Sequence, residues 1–214
     1  MNVKEYHKIP TVFQRDPATK YRTLLEGQYA TPELGYLRDC EWTFTEKLDG
    51  TNIRVMLSDW GEGYGEITFG GKTDRAQIPA KLVKHLQDTF TVARLAEVFD
   101  SDACLYGEGV GAGIQKGGGY YPDQRFVLFD VRIGDWWLKR KDVEDIAEKL
   151  GVPVVPVIGV GNLQAMVERC RHGFPSRWGD FPAEGIVARP TTELFTRAGQ
   201  RVITKLKRKD FRRV

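Results

Sequence analysis

Apolar and polar positions alternate with a period of two over Trp42–Lys47 and again over residues 52–57, and an Asp49-Gly50 pair separates the runs. That pattern predicts two strands, each burying one face, joined by a tight turn. Residues 61–65 read as a turn and 67–72 as a third strand. Leu82, Val83, Leu86, Phe90, Ala93 and Phe99 recur at a broken helical spacing, which predicts one long helix or two short ones. Residues 105–107 begin another strand ahead of a glycine-rich stretch, and 126–133 with 136–138 flank Gly134-Asp135 as a hairpin. Residues 142–150 predict a helix stopped by Gly151; 162–171 predict another, with Asn162 as N-cap and Gly173 as stop. Residues 185–188 and 202–206 complete the strands, while the stretch before Cys40 shows no clear period. Strands joined by short turns outnumber strand–helix–strand units, so the expected class is α+β with antiparallel sheets.

The chain has 214 residues, which suits a single domain over 1–214 without an appended C-terminal domain. No repeat, low-complexity segment or linker stands out. Basic residues number 32 and acidic residues 29, a net +3 that excludes neither a nucleic acid nor a small metabolite as partner. The longest apolar run, 152–161, carries Pro153 and Pro156 and is too short to span a membrane. The N-terminus lacks the apolar stretch of a secretory signal. Cys40, Cys104 and Cys170 are odd in number and far apart, so a reducing, cytoplasmic setting is expected. His7, His85 and His172 are scattered and no C-x-x-C occurs, which argues against zinc. Cys170 and His172 stand two apart on an expected helix and so do not face each other. The chemistry is left to Lys, Asp, Glu and Arg.

Charge gathers at the end of the chain. Residues 201–214 hold seven basic residues against Asp210, a net of 7 − 1 = +6, which leaves 3 − 6 = −3 for the rest. A solvated basic tail is one reading, and a phosphate-binding strand with a nucleic-acid contact is the other.

Two segments invite a chemical reading. Gly107 to Ala112 fits G-x-G-x-x-A after a strand. The dinucleotide fingerprint needs a helix N-terminus next, and Gly113 to Pro122 is a poor helix, so plain turn residues are expected. Lys47-Leu48-Asp49-Gly50 places a lysine beside a strand-joining turn. With a free pKa of about 10.4, roughly one lysine in 2,500 is neutral near pH 7, so nearby cations and partial desolvation would be needed to expose its lone pair. Attack on phosphorus would then give a lysyl phosphoramidate. K-x-D-G alone would arise by chance in roughly one chain in twenty of this size, from average residue frequencies.

The series that follows is more specific. Glu46-Lys47-Leu48-Asp49-Gly50-Thr51-Asn52, Leu105-Tyr106-Gly107-Glu108 with Gly111 to Lys116, Phe126 to Asp130, Glu184-Gly185-Ile186-Val187 and Lys205-Leu206-Lys207 stand in the motif order of the covalent nucleotidyltransferases. The sequence resembles, in particular, ATP-dependent RNA ligases of the phage RNA ligase 2 type. Thr51-Asn52 resembles that branch, whereas DNA ligases and capping enzymes usually carry arginine where Asn52 stands.

The resemblance implies an adenylation domain with two antiparallel sheets around a central ATP groove and peripheral helices. It implies ATP and Mg2+ (or Mn2+) as cofactors and RNA 5′-phosphate and 3′-hydroxyl ends, or a DNA-containing duplex, as partners. A monomer in the cytoplasm, or in a host's cytoplasm if phage-encoded, is expected. Lys47 would accept AMP. Glu108 would bond a ribose hydroxyl, Phe129 would stack on adenine, and Lys205 and Lys207 would neutralise phosphate from one face of a strand. Glu184 would bind the metal or orient Lys47, with Asp49 assisting. Glu46 would sit near the base edge, Asn52 would line the nucleotide site with Arg54 on its face, and Lys72, with Arg75 nearby, would take the place of an arginine near the ribose. The rivals are a DNA nick ligase and a non-catalytic nucleic-acid-binding module of the same fold.

Overall fold

The structure, a computed structural model, describes residues 5–60, 65–115 and 119–211. Most of the expected turn at 61–65 and Lys116 of the glycine-rich stretch lie outside the described residues. The chain passes through two compact units, each discontinuous in sequence: unit I holds 1–7 and 49–155, unit II holds 8–48 and 156–214. The chain crosses between them at 7/8, 48/49 and 155/156.

In chain order the strands are β1 (Phe13–Arg15), β2 (Leu24–Tyr29), β3 (Trp42–Lys47), β4 (Thr51–Ser58), β5 (Glu66–Gly70), β6 (Ala103–Gly111), β7 (Gln124–Ile133), β8 (Trp136–Trp137), β9 (Val157–Gly161), β10 (Gly185–Pro190) and β11 (Thr204–Lys207). The helices are α1 (Pro32–Tyr36), α2 (Ala80–Thr89), α3 (Val92–Ala96), α4 (Arg140–Leu150) and α5 (Leu163–His172). The class is α+β with antiparallel sheets, as expected. The broken period after Leu82 resolves into two helices. The segment before Cys40, unplaced from sequence, forms β1, β2 and α1, and β9 occupies the end of the apolar run.

Unit I is built on the antiparallel sheet β5-β4-β6-β7-β8. Strand alternation sends Ile53, Val55, Leu57, Leu105, Phe126, Leu128 and Val131 to one face, where α2 (Leu82, Leu86) and α4 (Val143, Ile146, Ala147, Leu150) cover them. The opposite face carries Asn52, Arg54, Tyr106 and Glu108. Here β4 and β6 pair Asn52 with Glu108 and Arg54 with Tyr106. The β6–β7 ladder shifts between Tyr106 and Gly107, so Tyr106 faces Asp130 while Gly107 faces Leu128 and Phe129 bulges between.

Unit II carries the antiparallel sheet β11-β10-β3-β9 and the small pair β1-β2. Its core joins Trp42, Phe44, Ile186, Ala188 and Leu206 from the sheet to Leu163, Met166, Val167 and Cys170, the i, i+3, i+4, i+7 stripe of α5. Asn162 caps α5 by accepting from Ala165 N at 2.9 Å, and its C-cap Gly173 follows as expected. Residues 201–211 are not a solvated tail. Arg201 to Thr204 are buried, β11 follows, and Arg208–Phe211 form a 3-10 turn. Asp210 accepts from the Lys207 amide at 2.9 Å and from Arg15 Nη2 at 2.7 Å, which fastens this end of the segment to β1.

Candidate active site

Lys47 ends β3, and β3 alternates buried and half-buried positions, so Trp42, Phe44 and Glu46 face the core while Thr43, Thr45 and Lys47 face outward. Register then aligns side chains across three strands: Gly185 pairs with Lys47 on one side and with Lys207 on the other. Glu184, one residue before β10, reaches both. Lys47 Nζ donates to Glu184 Oε2 at 2.6 Å and to Leu48 O at 3.0 Å. Lys207 Nζ lies 2.6 Å from Glu184 Oε1. One carboxylate thus spans two ammoniums, and all three side chains are at most a quarter exposed. Only glycine fits at 185, because a Cβ there would lie 2.0 Å from Leu206 O. Lys205 stands two residues from Lys207 on β11, on the same face, paired with Val187.

Glu46 departs from its expected place. It is 1% exposed, on the core side of β3 and opposite in parity to Lys47. Ser176 Oγ donates to its Oε1 at 2.5 Å and Arg177 N to its Oε2 at 2.8 Å. Glu46 therefore anchors the 176–178 turn beneath Lys47, and both its oxygens are engaged by protein donors.

The expected unit I residues gather on the sheet face away from its core. Asn52 and Glu108 are cross-strand neighbours. Gly50 permits the turn before β4 to press on this spot, since a Cβ would sit 2.3 Å from Gly109 O and 2.7 Å from Glu108 Cγ. Asp49 is held by its amide, which donates to Tyr120 Oη at 3.0 Å. Asn52 Oδ1 is buried and accepts from no donor among the described residues. Phe129 is half-buried, with Tyr6 packed edge-on at 5.1 Å between centroids. Tyr6 also donates to Asp130 Oδ2 at 2.8 Å and packs against Tyr106 and Trp137. Sequence reading missed this aromatic group around Phe129; the Trp136-Trp137 pair on a short hairpin was the available signal.

Lys72 and Arg75 are both exposed on the loop after β5. The arginine that braces that loop is Arg54, fully buried, with Nε donating to Gly71 O at 2.9 Å and Nη2 to Asp74 Oδ1 at 2.6 Å.

Among the described residues no group of three or more His, Cys, Asp or Glu is arranged around a metal position. Magnesium is commonly held by one or two carboxylates plus substrate phosphates, so a single acid such as Glu184 or Asp49 suits that mode. Burial disfavours thiolate chemistry at Cys104 and Cys170, whose thiols it pushes up to about 12. His172 is turned to solvent, its Nδ1 2.8 Å from Glu168 O, and forms no dyad with Cys170. No described helix is long and apolar enough to cross a membrane.

A sequence model of the RNA ligase family matches residues 40–207. No curated protein sequence matches the chain. Among solved structures, three variants of the Naegleria gruberi RNA ligase share its fold. One, with ATP and Mn, is 18% identical over 82% of this chain and 52% of its own, at a TM-score of 0.65. Another, with AMP and Mn, is 16% identical over 96% and 58%, at 0.66. An apo variant is 17% identical over 98% and 58%, at 0.67. The chain spans little more than half the length of these relatives.

Proposed function

The chain belongs to the RNA ligase family, and from that membership we propose that it is an ATP-dependent RNA ligase that joins 5′-phosphate and 3′-hydroxyl ends through a lysyl-AMP intermediate. The observation that carries the reading is the Lys47–Glu184–Lys207 arrangement, an amine oriented by a carboxylate beside a second cation. The neighbours' complexes with ATP and Mn or AMP and Mn support the choice of nucleotide and metal class.

The residues divide the work as follows. Lys47 loses a proton to solvent and its Nζ attacks the α-phosphorus of ATP; an N–P bond forms, the P–O bond to the β-phosphate breaks, and pyrophosphate leaves. Lys207 and Lys205 offset charge on the phosphoryl oxygens as five-coordinate phosphorus develops. Phe129 offers a ring to adenine, and Asn52 and Glu108 offer a donor–acceptor pair to the ribose. In the second step an oxygen of the RNA 5′-phosphate attacks the adenylate phosphorus, the N–P bond breaks, and Lys47 regains its proton. In the third the 3′-hydroxyl attacks the 5′-phosphorus, its proton passes to solvent, the P–O bond to AMP breaks, and AMP leaves. A divalent cation, Mg2+ or Mn2+, would be held by a single carboxylate, Glu184 or Asp49, and would supply further charge for the phosphates.

The test is intact-mass spectrometry of the chain incubated with ATP and Mn2+ or Mg2+. The expected result is a gain of one AMP that disappears in Lys47→Ala. An absent adduct under either metal, or one that persists in Lys47→Ala, refutes the reading. Sealing assays on nicked RNA, nicked DNA and single strands then identify the substrate.

A further inference from the structure

Unit II carries a cleft of about 890 Å3 whose lining lies between the start of the unit and β11. From β11 and the turn after it come Lys205, Lys207 and Lys209; from the other wall come Lys8, Arg15 and Arg22. Among the described lining residues the one acid is Asp210, which pairs with Arg15. Lys207 pairs with Glu184, and the lining cations outnumber these two acids. A protein that concentrates this much like charge in one cleft destabilises itself unless a polyanion enters.

The cleft also presents an aromatic ring under strain. Lys20 and Tyr21 are consecutive non-glycine residues with φ of 54° and 60°. Such a conformation is costly for a bulky residue and persists only where the surroundings enforce it. Lys20 N donates to Pro17 O at 3.0 Å, Tyr21 N to Asp16 O at 2.9 Å, and Arg15 Nη1 to Tyr21 O at 3.3 Å. The result holds the Tyr21 ring at 62% exposure on the rim. An aromatic ring left mostly exposed at a conformational cost gains little burial of its own. Beside a line of cations it makes a stacking platform with a charged track, the combination that binds single-stranded nucleic acid.

We propose that this cleft takes the single-stranded end of the RNA substrate, with its phosphates on Lys8, Arg22 and Lys209 and a base stacked on Tyr21, and delivers that strand toward Lys207. This rests on the ligase reading for its substrate class and extends it to residues before β3 that no motif of the resemblance covers.

The experiment is fluorescence anisotropy of the full chain with a labelled single-stranded RNA of a dozen or so nucleotides, over a series of salt concentrations. Arg22→Ala is expected to weaken binding several-fold and to reduce the salt slope by about one, the signature of one lost phosphate contact. Tyr21→Gly is expected to weaken binding about tenfold while its melting temperature holds or rises, because glycine relieves the positive φ; Tyr21→Phe is expected to bind like the parent. Unchanged affinity and slope in Arg22→Ala and Tyr21→Gly overturn the inference. So does displacement of the RNA by inorganic pyrophosphate at matched ionic strength, which would assign the cleft to a small anion instead. The unmodified chain's adduct with ATP separates the two readings. RNA binding lost in the variants without any adduct sinks the ligase reading and leaves the cleft; an adduct with RNA binding indifferent to the variants does the reverse.

Discussion

Glu184→Gln strikes the site at its pivot while keeping its shape. The carboxylate serves two ammoniums at 2.6 Å each, and its side chain is 13% exposed, so water offers limited replacement. The amide keeps one acceptor oxygen but turns an NH2 donor toward the second ammonium. One charge-assisted hydrogen bond is lost outright, the other is weakened, and two like charges remain together without their counter-ion. A hydrogen bond to a charged group contributes about 1.5–3 kcal/mol, so the substitution is expected to cost about 2–4 kcal/mol. For a chain of this size that lowers the melting temperature by roughly 5–15 °C. Lys47 loses its orientation as well, and a displacement near 1 Å at a reacting atom costs on the order of 100-fold in rate. Scanning calorimetry reads the first effect, and single-turnover formation of the AMP adduct reads the second. In the double variant with Lys207→Met the stability losses are expected to be less than additive, because the second change removes the repulsion left by the first. A Glu184→Gln protein that melts within about 1 °C of the parent and forms adduct at the parent rate would refute the pivot.

Gly185→Ala places a Cβ 2.0 Å from Leu206 O, a backbone atom with little room to move, and is expected to cost about 1–3 kcal/mol in urea denaturation while shifting Lys207 from Glu184. Arg54→Met removes the donor that holds Gly71 O; Asp74, largely exposed, finds water instead, so a loss of about 2–4 kcal/mol and faster proteolysis in the loop after β5 are expected. A thiol reagent is expected to label Cys40 alone in the native chain and all three cysteines after denaturation. The same burial makes a linkage: the folded thiols of Cys104 and Cys170 titrate near 12 rather than 9, so the unfolded state sheds their protons first. Their contribution is complete below pH about 9 and is lost as pH rises toward 12, by at most about 1.4 kcal/mol per unit per thiol, which melts in alkaline buffers would detect.

The strongest periods in the sequence became elements with small changes of boundary. The α5 stripe with its Asn162 cap, and the alternation of β3 and β4, are local patterns that any packing partner would have to respect. The β9 strand and the β1–β2 pair escaped because their exposed positions are not polar in alternation: Val157 and Val160 face solvent, and β2 shows three exposed residues in succession. The motif order, and the parity that puts Lys47, Lys205 and Lys207 on outward positions of their strands, could be read from residues alone.

Strand parity is covalent geometry, so sequence determined which way each candidate side chain leaves its strand and with what chemistry. Register between distant strands is a matter of long-range packing, and only the folded chain decided it. That pairing set Lys47 and Lys207 astride Gly185 so that Glu184 could touch both. Tertiary packing also brought Ser176 and Arg177 to the core-side Glu46, and Lys8, Arg15 and Arg22 to the same cleft as a segment that reads, by charge alone, as a loose tail.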